Sequence, residues 1–421
     1  MADNKENRIH KSSIEREQSQ TCLSSAERET IKGSKNLNVP HLRFPEFRGE
    51  WEKHKFGDIA TGFDYGMNAA AKPFDGENKY IRITDIDEAS STYNDTDIVS
   101  PDGTLADNYL VNDRDILLAR TGASTGKSYL YRKSDGKLYY AGFLIRANVT
   151  ERNPYFVFSQ LHTHRYWRWV SIMSARSGQP GINSQEYSSF PIFTTSLQEE
   201  NKISTMLSLL DERIATQNKV IEDLKKLKSA MTERLYSNVE GTTYTYRQLF
   251  DVINERNKDN IYHNVLSASQ ELGMIDRSDI NIDIKFEQSS IVSYKIVRKG
   301  DYVVHLRSFQ GGFAFSEKTG ICSPAYTILR PKDNLIYGYL SHFFTSKQFV
   351  KSLKLVTYGI RDGRSINVDE WLNMKVVIPA KQEQSHILNT INRIECKLRN
   401  EHEIYSRLIK QKSYLLRQMF I

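Results

Sequence analysis

Ile182-Asn183-Ser184-Gln185-Glu186-Tyr187 is a short stretch of this chain that returns, 184 residues later, as Ile366-Asn367-Val368-Asp369-Glu370-Trp371. The same spacing separates Gln198-Glu199 from Gln382-Glu383, and it holds without a gap to the last residue. Solenoid repeats recur about every 20–50 residues, so a repeat of this length indicates two tandem domains instead.

The front part of the repeat is more variable than the back. Residues 111–116 match residues 297–302 at a spacing of 186. Phe56-Gly57-Asp58-Ile59 matches Leu249-Phe250-Asp251-Val252 at a spacing of 193. Each copy therefore has a variable front and a back of fixed length, which predicts different roles for the two parts.

The composition limits the class of protein. The 421 residues include 58 Lys and Arg against 51 Asp and Glu, a basic balance that fits a nucleic-acid partner without requiring one. The three cysteines form no CxxC pair, which argues against a disulfide framework and favours the cytoplasm. No apolar run reaches membrane-spanning length and no apolar signal core is present, so we predict a soluble protein.

The pattern along the chain predicts the α+β fold class. Residues 1–38 hold no aromatic residue and are rich in polar side chains, so we predict a flexible tail. Short apolar runs at residues 115–120 and 128–132 predict strands, and residues 155–173 and 337–355 predict matching helices. The predicted segments are the tail at 1–38, two α+β domains at 39–194 and 241–379, and two long helices at 195–240 and 380–421.

Both long helices carry an apolar seam with alternating steps of four and three residues, which is typical of a left-handed coiled coil. Polar interruptions match, Gln217 with Glu401 and Lys228 with Lys412. Each helix could instead pack only on its own domain, but the matched lengths and interruptions favour pairing. The apolar seam residues are Ile203, Leu207, Leu210, Ile214, Ile221 and Leu224, then Ile387, Ile391, Ile394, Leu398, Leu408 and Leu415.

The connections determine the relative direction of the helices. The first helix ends near Ser237, the second domain begins near Tyr244, and that domain leads directly into the second helix. Helices that lie side by side with these connections must be antiparallel and related by a pseudo-twofold axis. About 35 residues at roughly 1.5 Å each would give a spacer of about 50 Å. Two inverted basic domains on such a spacer suit a two-part DNA site.

Residues 39–421 resemble the specificity subunit of type I restriction–modification enzymes. The resemblance rests on the opening Val39-Pro40-His41-Leu42-Arg43-Phe44-Pro45-Glu46-Phe47 and on two closing stretches, which begin Gly178-Gln179-Pro180 and Gly359-Ile360-Arg361. It also rests on the two helix starts at Gln198 and Gln382. Each motif alone is weak, but their order and duplication make the pattern specific.

The resemblance implies a non-catalytic subunit whose two target-recognition domains each read half of an interrupted site in double-stranded DNA. It also implies that the helices dock two modification (methyltransferase) subunits and, through them, restriction subunits. Those partners would bind S-adenosylmethionine, ATP and magnesium, and this subunit would need no cofactor. The assembled complex would methylate adenine at N6 and cleave DNA in an ATP-dependent reaction.

Two glycine-flanked basic loops are candidates for DNA contacts. Gly122-Ala123-Ser124-Thr125-Gly126-Lys127-Ser128 resembles a P-loop, but it has three residues between its glycines instead of four, and a strand follows. Such a loop could bring basic side chains to a phosphate or a base edge, and a plain tight hairpin is equally compatible. The candidates are Arg120, Thr121 and Lys127 in the first domain, and Arg307, Ser308, Gln310, Arg361 and Arg364 in the second.

We identify no catalytic residues and no metal ligands in the sequence. Asn153-Pro154-Tyr155-Phe156 resembles the Asn-Pro-Pro-aromatic motif of adenine methyltransferases but lacks the second proline, which favours a helix start. His162 and His164 have no third ligand nearby, so we predict a solvated or phosphate-contacting face. Two alternatives remain: a diverged nuclease or methyltransferase that acts alone, and a coiled-coil scaffold that does not read DNA.

Overall fold

The structure is a computed structural model that describes residues 38–175, 180–269, 272–279, 288–305, 312–358 and 365–421. The chain divides into two units: unit one contains Met1–Ile214 and Arg407–Ile421, and unit two contains Ala215–Ser406. Each unit combines a domain with parts of both long helices, so the predicted domain boundaries stay a prediction. Residues 1–37 of the predicted tail lie outside the described residues.

Unit one combines short strands, short helices and the first part of a long helix. Its helices are α1 Phe56–Ile59, α2 Pro154–Gln160, α3 His164–Ser174, α4 Ser184–Ser188 and the start of α5 Leu197–Ser237. Its strands are β1 Glu52–Lys55, β2 Ala60–Tyr65, β3 Ala70–Pro73, β4 Lys79–Ile81, β5 Val99–Asp102, β6 Asp115–Ala119, β7 Ser128–Leu130, β8 Leu138–Tyr140, β9 Leu144–Val149 and β10 Pro191–Thr194. The central antiparallel sheet has the order β2-β9-β6-β7, and β1 pairs with β10.

Strand β6 shows why this part of the sequence folds as it does. Its five residues are all buried. Ile116 and Leu118 belong to the core that includes residues of α2, α3 and α4, whereas Leu117 and Ala119 belong to a second core with Tyr129. A short apolar run without alternation is the pattern expected of a strand that is covered on both faces.

Unit two repeats this architecture. Its helices are the rest of α5, α6 Tyr246–Leu249, α7 Lys347–Ser352, α8 Val368–Asn373 and most of α9 Lys381–Gln418. Its strands are β11 Thr242–Thr245, β12 Phe250–Ile253, β13 Leu266–Ser269, β14 Gly273–Asp276, β15 Lys295–Val297, β16 Tyr302–Val304, β17 Phe313–Phe315, β18 Gly320–Cys322, β19 Thr327–Pro331, β20 Thr357–Tyr358, β21 Ser365–Ile366 and β22 Lys375–Ile378. The sheet order β12-β19-β16-β17 and the pairing of β11 with β22 match unit one. The predicted duplication of an α+β domain is confirmed.

The alignment predicted for the front of the repeat is wrong by three residues. Helix α1 begins at Phe56 and α6 begins at Tyr246, directly after the paired strands β1 and β11. The equivalent residues are therefore 190 apart, whereas the predicted spacing of 193 joined Phe56 to Leu249. Leu249 ends α6 and Phe250 starts β12. Residues 56–59 and 249–252 are thus similar in type although they lie in different elements. The reason is that both stretches bury apolar side chains.

The match between residues 111–116 and 297–302 is explained by the turn before the central strand. Arg114 and Gly300 both have positive φ, at 71° and 98°, a conformation that favours glycine. The next residue is a buried aspartate in each copy, and its carboxylate accepts a backbone N–H three residues upstream. Arg114 tolerates the turn because its guanidinium donates to the backbone carbonyls of Val149 and Thr150 at 2.6 Å.

The two predicted mid-domain helices are shorter than expected. Residues 155–173 form α2 and α3 instead of one helix, because Thr163 accepts the backbone N–H of Tyr166 and starts a new helix. In unit two, Ser346 caps α7 in the same way, and only Lys347–Ser352 is α-helical within residues 337–355. Helix α2 begins at Pro154 with Asn153 as its N-cap, which confirms the interpretation of that motif.

Helices α5 and α9 are antiparallel within unit one. Asp211 of α5 forms a salt bridge with Lys412 of α9 at 2.6 Å. Ile203 and Leu207, which lie earlier on α5, pack in one cluster with Leu416, which lies later on α9. Rising residue numbers on α5 therefore meet falling numbers on α9, as predicted.

The same direction holds within unit two. Gln217 donates a hydrogen bond to the Glu401 carboxylate at 2.5 Å, and Lys228 forms a salt bridge with Glu395. Hydrogen bonds from Lys397 and Gln217 lower the pKa of Glu401. The polar seam positions predicted to match, Gln217 and Glu401, are thus bonded to each other. Polar seam pairs of this kind set helix register.

The predicted apolar seam residues share one property: each is buried or half-buried. They are Ile203, Leu207, Leu210, Ile214, Ile221, Leu224, Ile387, Ile391, Ile394, Leu398, Leu408 and Leu415. No helix in the described part of the chain is long and apolar enough to cross a membrane. Among the same residues, no group of three or more His, Cys, Asp or Glu side chains is arranged to hold a metal ion.

Candidate nucleic-acid interface

The hairpin between β6 and β7 carries the three DNA-binding candidates of unit one. Because β6 ends at Ala119 and β7 begins at Ser128, Arg120, Thr121 and Lys127 lie in one short connection. The stretch that closes the domain runs beside it, since Ile182 N donates to Arg120 O at 2.9 Å. Thr121 also forms a β-bridge with Gly181. The glycine-rich loop and the closing motif, separate in the sequence, are therefore neighbours.

Arg120 lies in a cleft of about 620 Å³, which we call the Arg120 cleft. Two exposed rings line it: Tyr65 is 43% exposed and Phe143 is 55% exposed. The Arg120 guanidinium carbon lies 4.8 Å from the Tyr65 ring centroid and 6.0 Å from the Phe143 ring centroid. Its Nε donates to Gly142 O at 3.1 Å. The guanidinium is thus held by one hydrogen bond and two rings.

A second arginine of the cleft has a different electrostatic setting. Arg82 donates to both carboxylate oxygens of Asp85 at 2.8 Å, and it also lies 3.3 Å from Asp97. Its charge is therefore compensated. The terminal nitrogens of Arg120 have no hydrogen-bond partner among the residues that the structure describes. Arg120 is the arginine of this cleft that can offer two donors to a ligand, and an arginine fork of this kind reads guanine O6 and N7.

Lys127 is the last residue of the loop, and helix α3 packs against the loop beside it. The Lys127 ammonium lies 3.2 Å from the exposed Glu88 carboxylate, an ion pair of the weak, solvent-screened type. Gly126 has a φ of +92°, and a Cβ there would lie 2.7 Å from Val170 Cγ1. Glycine therefore lets α3 approach the loop, and α3 carries the exposed ring of Trp167.

Tyr65, Phe143 and Trp167 were not among the residues predicted from the sequence. Tyr65 precedes Gly66 and Phe143 follows Gly142. An aromatic residue next to glycine at the end of a strand is therefore the sequence signal that could have found these two rings. The signal is weak, because many aromatic residues in the described part of the chain are buried. The candidates of the second domain, Arg307, Ser308, Gln310, Arg361 and Arg364, lie outside the described residues.

The prediction of a solvated or phosphate-contacting face at His162 is wrong. Its Nδ1 lies 2.9 Å from Phe158 O, and its Nε2 lies 2.9 Å from Ser91 Oγ. Burial lowers the pKa of His162 to about 4, so the imidazole is neutral near pH 7. His164, two residues further on, is exposed. The short break between α2 and α3 turns the two histidines in different directions.

Comparison with known proteins shows which family the first half of the chain resembles. Residues 48–226 match the family model described as "Type I restriction modification DNA specificity domain". The comparison with curated proteins gives no match.

Two solved structures share the fold of almost the whole chain. One is the crystal structure of the type I restriction–modification system S subunit from M. genitalium, with 14% identity and a TM-score of 0.56 over 91% of this chain and 99% of that one. The other was solved to explain complex assembly and conformational transition of the type I R-M system. It has 15% identity and a TM-score of 0.54, and the match covers 90% of this chain and 99% of that one. Residues 48–226 are therefore similar to the type I restriction modification DNA specificity domain, and the chain as a whole shares its fold with an S subunit.

Proposed function

We propose that this protein is the specificity subunit of a type I restriction–modification complex and reads a bipartite site in double-stranded DNA. The observation that carries the proposal is the Arg120 cleft, which lies within the matched specificity domain. It places an arginine with two available donors between exposed aromatic rings. Lys and Arg side chains elsewhere would supply phosphate contacts, whose affinity falls as salt rises. The basic composition and the cysteine content fit a cytoplasmic location.

Selection from a random DNA pool tests this function directly. The full chain, co-expressed with its modification subunits, should enrich two short specified sequences separated by an unspecified gap of constant length. Enrichment of a single continuous site, or of no sequence, would contradict the proposal.

We propose further that the subunit itself is non-catalytic. Modification subunits would bind S-adenosylmethionine and methylate adenine, and restriction subunits would use ATP and magnesium to cleave. The repeat supports docking of two such partners: polar contacts of α5 and α9 recur 184 residues apart, since Asp211 and Lys228 correspond to Glu395 and Lys412. A partner that docks on one copy would therefore meet similar residues on the other.

Native mass spectrometry should accordingly show two modification subunits for each specificity chain. Binding should not saturate at one modification subunit, because the repeat makes the two docking surfaces equivalent. A saturated one-to-one complex that still methylates both DNA strands would contradict the prediction.

The helix pair is proposed to set the gap between the half-sites. Seven residues inserted after Asn218 and seven after His402, equivalent exposed positions on α5 and α9, keep the heptad phase. They add about 10 Å of helix, which is roughly three base pairs at about 3.4 Å each. DNA selection should return a changed gap between two unchanged half-sites.

The control is an insertion of four residues after Asn238, in the connection between α5 and β11. Within unit two, the Tyr236 hydroxyl donates to Tyr339 O, and Ile387 and Ile391 belong to the domain core. The domain is thus held on both helices, and the added residues should form a loop without altering the gap. Paired helix insertions that leave the gap unchanged would refute the proposal.

A further inference from the structure

Two buried tyrosines contact the backbone beneath the β6–β7 hairpin tip. The Tyr187 hydroxyl, on α4, donates to Ala119 O at 2.6 Å and accepts from Gly126 N at 3.2 Å. The Tyr166 hydroxyl, on α3, donates to Gly126 O at 2.8 Å. Both side chains are fully buried. The tyrosine pair, Tyr166 and Tyr187, therefore bonds the two ends of the loop.

We propose that the tyrosine pair consists of positioning residues for base reading by unit one, an inference that rests on the proposed function. Ala119 directly precedes Arg120, and Gly126 directly precedes Lys127. Hydrogen bonds that fix these two peptide groups fix the directions in which the Arg120 and Lys127 side chains leave the backbone. Sites that read ligands precisely need such support from beneath.

The surroundings of the two rings make the support rigid. The Tyr166 ring packs edge-on against Phe190, with 5.1 Å between centroids, and stacks on Trp169 at 6.1 Å. Burial raises the pKa of both phenols above the ordinary tyrosine value, so both hydroxyls keep their protons. A fixed ring with a protonated hydroxyl gives a hydrogen bond of constant direction.

Unit two lacks both hydroxyls. Tyr187 corresponds to Trp371 in the 184-residue repeat. Tyr166 lies three residues after the N-cap of α3, as Phe349 does after the N-cap of α7. Phe349 and Trp371 are equally buried, so both copies fill this part of the core. Because the equivalent positions of unit two carry no hydroxyl, we expect the tyrosine pair to act on the half-site that unit one reads.

The test variant is Tyr187→Phe, made in the full chain and assembled with its modification subunits. Binding is selected from a random DNA pool, and affinities are measured for the best site and its single-base variants. We expect the affinity ratio between the best site and its single-base variants to fall about tenfold within one half-site. This loss is part of the base discrimination that a bidentate arginine contact supplies. The other half-site and the gap should be unchanged. Tyr166→Phe should affect the same half-site, which should also be the one that Arg120→Ala affects.

Tyr140→Phe is the matched control. Tyr140 is a fully buried tyrosine of unit one whose hydroxyl has no hydrogen-bond partner among the described residues. Its replacement should leave discrimination unchanged. Equal loss at both half-sites, or unchanged discrimination in Tyr187→Phe, would overturn the inference while leaving the proposed function intact. A wild-type complex that selects no sequence would overturn both.

Discussion

Arg43→Ala should lower the free energy of unfolding of unit one by about 3–5 kcal/mol. Arg43 Nε and Nη2 each lie 2.7 Å from one carboxylate oxygen of Glu199, whose side chain is fully buried. The pair joins residues 38–51 to the first turn of α5. Removal of the arginine would leave a buried carboxylate with the Thr195 hydroxyl as a remaining donor. Urea unfolding of the full chain measures the loss.

The local consequence can be measured by hydrogen exchange. The amide of Leu42 donates to Gln418 O, and the amide of Trp51 donates to Asn38 O. Both amides should exchange faster in Arg43→Ala, because the segment that carries them has lost its anchor.

Lys202→Ala provides the matched control for Arg43→Ala. Lys202 pairs with Glu46 across the same segment and the same helix, but both side chains are nearly half exposed. Exposed pairs contribute about 0–1 kcal/mol. The double variant Arg43→Met with Glu199→Leu should recover most of the lost stability, since no charge is then left unpaired. Equal losses in Arg43→Ala and Lys202→Ala would contradict the assignment of Arg43 as a buried anchor.

Arg120→Ala should reduce discrimination at one base pair of one half-site by about 1–3 kcal/mol. The reason is the loss of two donors in a fixed plane, which the Tyr65 ring and the Gly142 carbonyl hold in the Arg120 cleft. Arg120→Lys should lose similar discrimination, because a lysine keeps the charge without the planar fork. Binding titrations with the selected site and its single-base variants supply the measurement.

Two outcomes would reassign Arg120. Uniform weakening on all sequences, with a smaller salt dependence, would make it a phosphate contact. Unchanged binding would make it structural. Lys137→Ala serves as the control, because Lys137 is an exposed cation of the same unit that pairs with Glu77 and does not line the Arg120 cleft. It should not change base preference.

Residue pattern alone predicted the features that depend on local spacing. The four-and-three steps on α5 and α9, the 184-residue repeat and the connections at Ser237 and Tyr244 together predicted antiparallel helices. The contacts within each unit confirm that direction. Spacing could not align the front of the repeat, because Phe56-Gly57-Asp58-Ile59 and Leu249-Phe250-Asp251-Val252 share residue types in different elements.

The Arg120 cleft shows the limit of sequence reasoning at a site. Arg120 itself was predicted from a glycine-flanked basic loop, but its walls come from the ends of β2 and the turn before β9, about 55 and 23 residues away. No local pattern connects them. His162 was misjudged for the same reason, since its partner Ser91 is distant in the sequence.

The sequence by itself determined the duplicated α+β architecture, the helix seams and their direction, because each depends on periodicity and chain connectivity. Only the tertiary structure decided which arginine of the cleft has available donors, which histidine has hydrogen-bond partners for both ring nitrogens, and which tyrosine hydroxyls support the loop. Those properties depend on burial and on hydrogen bonds between distant segments. They arise when the chain packs, and periodicity does not encode them.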